Sequence, residues 1–115
     1  RYRDRLAELP GLRVVPGTFD PGSADHLMMV LLPDGTDRSA VQADMQADGV
    51  GTSVHFRPLH TFGWFREQGL VPGPGGAPVA DRYVDRALSL PLHTRMSPDD
   101  VDQACDALGR ALAGA

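Results

Sequence analysis

The stretch Gly49-Val50-Gly51-Thr52-Ser53-Val54-His55-Phe56-Arg57-Pro58-Leu59-His60-Thr61 decides how this chain is read. Two glycines free the backbone, a run rich in β-branched and aromatic residues follows, and a proline stops it. Read as a strand, the run alternates: Val54 and Phe56 share one face, and Ser53, His55 and Arg57 share the other. Such a strand buries one side and offers a histidine and an arginine on the opposite side. Past Pro58, Thr61 is expected to cap a short helix that carries Phe62 and Phe65 one turn apart. Strand, turn and helix start would then gather His55, Arg57, His60 and free backbone N–H groups. That set suits a phosphorylated or otherwise anionic ligand.

On the N-terminal side, Thr36 or Asp37 caps a predicted helix that runs to Asp48, with Ala40, Val41 and Met45 inward and Gly49 as its terminator. Arg38 falls in the first turn, where the helix dipole disfavours a cation. It reads either as a solvated arginine or as one paired with an anion. Before this helix, His26–Leu32 is a nearly continuous apolar run bounded by Pro33-Asp34-Gly35, the pattern of a central strand covered on both faces. Its methionine pair reads as core filling. Thr18–Asp25 is a loop, and Leu12–Val15 is a short strand closed by Pro16-Gly17. Tyr2, Leu6 and Leu9 mark a helix ended by Pro10-Gly11, with no cap before it. It reads as the remainder of a longer helix or as a frayed terminus.

On the C-terminal side, the helix from Thr61 ends near Gln68-Gly69. Pro72-Gly73-Pro74-Gly75-Gly76 reads as a surface loop, because it lacks the Lys-Ser/Thr ending of a phosphate-binding loop. Pro78 opens a helix with Val79, Tyr83, Val84 and Leu88 at helical spacing and a solvated face of Asp81, Arg82, Asp85 and Arg86. Leu88-Ser89-Leu90-Pro91-Leu92 alternates like a strand that Pro91 confines to an edge. Ser97-Pro98-Asp99-Asp100 supplies a helix start, and Val101, Ala104, Cys105, Leu108, Ala111 and Leu112 form its apolar stripe. The fold class that follows is α/β: a two-layer sandwich, with a small, mainly antiparallel sheet and helices largely on one face.

Composition narrows the function. The 115 residues suit a single domain, and no apolar run is long enough to span a bilayer. A net charge of −4 argues against a nucleic-acid partner. Cys105 is the single cysteine, so no internal disulfide forms, and a cytoplasmic location is expected. All 11 residues counted as Lys+Arg are arginines, so no side-chain amine is available for Schiff-base chemistry within the chain. His55 and His60 are five apart without a carboxylate-rich motif, so no metal site is expected. No Ser or Cys sits in a recognisable nucleophile turn.

Taken together and in order, Arg38, Gly49-Val50-Gly51-Thr52, His55-Phe56-Arg57-Pro58-Leu59-His60, Pro78-Val79-Ala80-Asp81, Leu88-Ser89-Leu90-Pro91-Leu92 and Ser97–Val101 resemble the C-terminal domain of the DegT/DnrJ/StrS sugar aminotransferases. The resemblance covers almost the whole chain. It implies a fold-type I enzyme, dependent on pyridoxal phosphate, that aminates nucleotide-linked keto sugars. It also implies that the Schiff-base lysine and the cofactor contacts belong to a large N-terminal domain absent from this chain. Residues 1–115 would then be the small domain, inactive alone and without bound cofactor. By resemblance His55, Phe56, Arg57 and His60 face the substrate, and Phe56 stands where many members carry tyrosine. The implied partners are a nucleotide sugar, an amino-acid donor and a second subunit of the parent, with no nucleic acid and no membrane. On the residues alone, His55 reads equally as a structural histidine and Arg57 as part of a salt bridge. A free-standing ligand-binding or regulatory module is the other reading of the whole.

Overall fold

The computed structural model describes residues 1–18 and 20–114. Three strands, β1 (Arg13–Val15), β2 (Met28–Leu31) and β3 (Ala87–Leu90), form one antiparallel sheet in the order β1-β2-β3. Position 19 of the expected Thr18–Asp25 loop and the final residue, 115, lie outside the described residues; the rest of that loop is turn and coil. The α-helices are α1 (Tyr2–Leu6), α2 (Arg38–Ala47), α3 (Gly63–Glu67), α4 (Pro78–Val84) and α5 (Pro98–Gly114), with a 3₁₀ turn at Leu59–Thr61. The predicted α/β class and its antiparallel sheet therefore stand.

Register explains the two faces of the sheet. Val14, Val30 and Leu88 pair across it, as do Met28 and Leu90, so these side chains point the same way. They join Tyr2 and Leu6 of α1, Val41 and Met45 of α2, and Ala104, Cys105, Ala107, Leu108 and Ala111 of α5 in one core. Three helices on one face thus meet the apolar inner rows of three strands. The other face carries Met29, Leu31, Ala87 and Ser89. Leu31 and Ala87 are buried there as well, and α4 lies over that row: Pro78, Val79 and Tyr83 share with Leu31 the wall of a cavity of about 460 Å³. Burial on both faces is why the β2 run reads as almost continuously apolar.

Caps fix the helix ends where the sequence placed them. The Asp37 carboxylate accepts from Ser39 N and Ala40 N at 2.8 and 3.3 Å, which starts α2. At its other end Gly49 N donates to Gln46 O and Val50 N to Met45 O, a paired closure that needs the positive φ of +78° Gly49 adopts. Ahead of α5, Ser97 Oγ accepts from Asp100 N while the Asp100 carboxylate accepts from Ser97 N, a reciprocal cap. The Ser97 N–H and hydroxyl, both donating to that carboxylate, hold the Asp100 carboxyl below its usual range.

Four local expectations give way. Ala40, read as inward, is exposed, because Val41 and Met45 alone lie on the buried line of α2. The α4 helix stops at Val84 rather than reaching Leu88, which the sheet claims for β3. Two members of its expected solvated face have partners. Arg86 donates from Nε to Leu32 O at 2.6 Å and from Nη1 to Asp34 at 2.5 Å, while Asp81 meets His60. Arg38 fits neither of its two readings: its Nη1 donates to Val84 O and Ala87 O, and its Nε is buried with no partner among the described residues. A cation at the last carbonyls of α4 lies at the negative end of that helix, which compensates for its poor place in α2.

Candidate functional site

The segment that follows α2 leaves the core almost at once. Val50 is buried, Thr52 Oγ1 accepts from Gln42 Nε2 at 3.2 Å, and Ser53 then meets the free edge of β3. Ser53 N donates to Ser89 O at 3.1 Å and Ser89 N donates to Ser53 O at 2.8 Å. That single pair is all the sheet pairing the segment makes among the described residues. The strand predicted across Ser53–Arg57 does not form, because the backbone beyond Ser53 finds no second rung before Pro58 ends it.

The facing of three side chains also departs from the alternation, while Ser53 and Arg57 are exposed as expected. Val54 is 49% exposed and Phe56 is 99% exposed, although the alternation assigned them to the interior. His55 is the half-buried member, with Nε2 lying 2.9 Å from Ser89 Oγ, and Arg57 projects from the surface. One rung is too little to impose a period of two, so the polar contact to β3 sets the orientation of His55 instead.

Beyond Pro58 the chain tightens into the 3₁₀ turn. Thr61 does not cap α3; its hydroxyl donates back to Pro58 O at 2.7 Å, and Phe62 occupies the N-cap position. His60 Nε2 sits 2.7 Å from an Asp81 carboxylate oxygen and so joins the turn to α4. The rings of Phe62, Trp64 and Phe65 meet edge to face, Trp64 and Phe65 with centroids 5.0 Å apart. Even so, Leu59, Phe62 and Trp64 remain 42–63% exposed.

The four expected site residues are therefore distributed as follows. His55 is tied to β3, His60 to α4, and Phe56 and Arg57, between them in sequence, are exposed with no side-chain hydrogen bond or ion pair among the described residues. A shallow depression of about 310 Å³ is walled by Gly51–Ser53 and Ser89–Leu92 and by His26 and Leu27, and none of the four lines it. The larger depression, of about 730 Å³, lies between Pro33–Asp37 and the end of α5 and holds neither histidine nor arginine. Among the described residues no group of three or more His, Cys, Asp or Glu side chains is placed to hold a metal. Among the described residues no helix is long and apolar enough to cross a membrane.

Two residues of this neighbourhood escaped the reading of the sequence. Ser89 reads as one beat of an alternating strand, though a lone polar residue inside Leu88–Leu92 is itself a signal that the outer face has a hydrogen-bond partner there. Asp81 looked like one of several solvated charges, and nothing in spacing marks it as the partner of a histidine 21 positions earlier.

Comparison with known proteins follows the same outline. Residues 1–109 match the sequence model of the DegT/DnrJ/EryC1/StrS aminotransferase family. The chain is 34% identical over 120 residues to the spore coat polysaccharide biosynthesis protein SpsC of Bacillus subtilis, covering all of this chain and 30% of that protein. Among solved structures it resembles the aminotransferase TlmJ from Streptoalloteichus hindustanus, at 28% identity and a TM-score of 0.80, over 99% of this chain and 30% of TlmJ. It also resembles S. venezuelae DesV, solved with a ketimine intermediate, at 26% identity and a TM-score of 0.77, over 95% of this chain and 28% of DesV. Helicobacter pylori PseC, an aminotransferase of pseudoaminic acid biosynthesis, shares the fold at a TM-score of 0.86 with 15% identity. The chain spans about 30% of the length of these relatives.

Proposed function

Because this chain belongs to the DegT/DnrJ/EryC1/StrS aminotransferase family, we propose that it is the C-terminal, substrate-binding domain of an enzyme that transfers an amino group to a nucleotide-linked keto sugar. The observation that carries the reading is a mismatch. The family match runs over residues 1–109, yet the chain amounts to about 30% of its relatives and contains no lysine. Pyridoxal phosphate, where such an enzyme binds it, supplies the electron withdrawal that lets an amino group pass between donor and acceptor. The residues present here do not fit its covalent attachment, which needs a side-chain amine, so the transfer itself belongs to other polypeptide of the parent.

What this chain contributes is surface. Val54, Phe56, Leu59, Phe62 and Trp64 are 42–99% exposed within eleven positions, the kind of apolar patch that further polypeptide covers. Arg57 stands in the middle of that patch with no carboxylate partner among the described residues. A guanidinium free of intramolecular partners keeps its donors for a ligand, and a diphosphate matches its fork. In this reading Arg57 pairs with the substrate diphosphate. His55 contacts polar atoms of the sugar or nucleotide, His60 supports the turn, and Phe56 contributes an apolar wall. The parent works as a homodimer in the cytoplasm, with an amino-acid donor.

The test is kinetic. In the full-length enzyme Arg57→Ala is expected to raise the KM for the nucleotide sugar about ten- to a hundredfold, the worth of one charge-assisted contact. An unchanged KM removes Arg57 from the site.

A further inference from the structure

Ser89 is the buried polar side chain of the sheet, 3% exposed on the outer face of β3. It makes three hydrogen bonds to one short segment: two through its backbone to Ser53 and one through its hydroxyl to the His55 ring. Among the described residues, no other hydrogen bond ties Ser53, Val54, His55, Phe56 or Arg57 to the rest of the fold. The whole expected ligand-facing segment therefore hangs on one serine.

The chemistry of that serine fixes more than position. A buried hydroxyl must place its proton on an acceptor, and His55 Nε2, at 2.9 Å, is its acceptor among the described residues. A ring nitrogen that accepts carries no proton, so the neutral imidazole must be protonated at Nδ1. Were Nε2 protonated instead, the serine proton would be left buried without an acceptor. Nδ1 has no protein partner among the described residues, so its N–H is left for a ligand.

We infer that Ser89 is the positioning residue for His55: its hydroxyl donates to Nε2, holds the ring as the Nδ1–H tautomer, and so gives segment 53–57 a surface whose ring donor is free. Together with the Arg57 guanidinium, that surface takes a group rich in acceptors, such as the phosphate oxygens of a nucleoside diphosphate. The ligand class rests on the function proposed above; the tautomer does not.

Long-range ¹H–¹⁵N spectra of the full-length enzyme, at a pH where the rings are neutral, test it. His55, assigned by difference from His55→Gln, is expected to show an unprotonated Nε2 and a protonated Nδ1. His93 is the internal contrast, because its Nδ1 accepts from Arg95 N at 3.3 Å and its proton must sit on Nε2. Ser89→Ala is expected to shift His55 to the Nε2–H form, and Ser89→Thr, which keeps the hydroxyl, to restore Nδ1–H. A wild-type His55 protonated at Nε2 overturns the inference, whether or not the alanine variant folds. So does a folded Ser89→Ala chain with its tautomer unchanged. In the full-length enzyme, Ser89→Ala is expected to raise the KM for the nucleotide sugar severalfold while kcat changes less. An unchanged KM there, with the tautomer as expected, overturns the donor role of His55 toward the ligand and leaves the Ser89–His55 bond standing. Failure of the Arg57→Ala test alone strikes the function and not the tautomer.

Discussion

The β2–α5 side of the molecule and the segment from Ser53 to Trp64 obey opposite rules. In the first, apolar side chains are spent inward. Val30, Leu32, Val41, Met45, Leu88 and Leu108 are fully buried against one another, and both ends of α2 and the start of α5 are closed by caps. In the second, apolar side chains face outward, the backbone is tied to the sheet at one residue pair, and two histidines make the side-chain ties, His55 to Ser89 and His60 to Asp81. The difference teaches where to look for function. A region that satisfies itself needs nothing more, while a region that leaves Phe56 99% exposed, and Arg57 without a carboxylate partner among the described residues, is the one the proposed function assigns to a ligand.

The contrast can be broken first at its strong end. Leu108→Ala removes a side chain that α5 places against the sheet and α2, and is expected to cost about 2–5 kcal/mol in urea unfolding. A cost below about 1 kcal/mol would mean that this side of the molecule is not the stabilising one. A moderate effect is expected from acid. The Asp102 carboxyl, held by Arg1 and Arg5 of the N-terminal helix, lies below its ordinary value of 3.8. A carboxyl whose folded pKa is lowered stabilises fully above its unfolded pKa, and that contribution disappears as pH falls through the lowered one. Urea midpoints should therefore drop below about pH 4, and Asp102→Asn should flatten the drop. A variant with the same acid profile as the parent would take Asp102 out of the account. The smallest effect belongs to the other region: Phe56→Ala is expected to change stability by less than about 0.5 kcal/mol. A loss of several kcal/mol there would show that the exposed segment is part of the core after all.

The same division governs what could be read in the sequence. The α5 stripe, the Asp37 and Gly49 ends of α2 and the doubly covered β2 were legible because local chemistry and burial agree at each. The identities Gly49-Val50-Gly51-Thr52 and Leu88–Leu92 carried the family. The geometry of 53–57 was not legible. Val54-His55-Phe56-Arg57 has the composition of a strand, and only tertiary context decides whether a second rung exists to make it one. Thr61 likewise has the type of a cap, but its hydroxyl found Pro58 O first. The pairs Ser89–His55 and His60–Asp81 join residues 34 and 21 positions apart, beyond the reach of any periodicity.

Hydrogen exchange in the full-length enzyme, with and without the nucleotide-linked sugar, puts the central claim to its most direct test. Without ligand, the amides of Val54–Arg57 should exchange fast while those of Val30 and Leu88 stay protected. With ligand, Val54–Arg57 should slow and the sheet should not change. Exchange at Val54–Arg57 that is as slow as in β3 from the outset, or identical with and without ligand, would contradict the account.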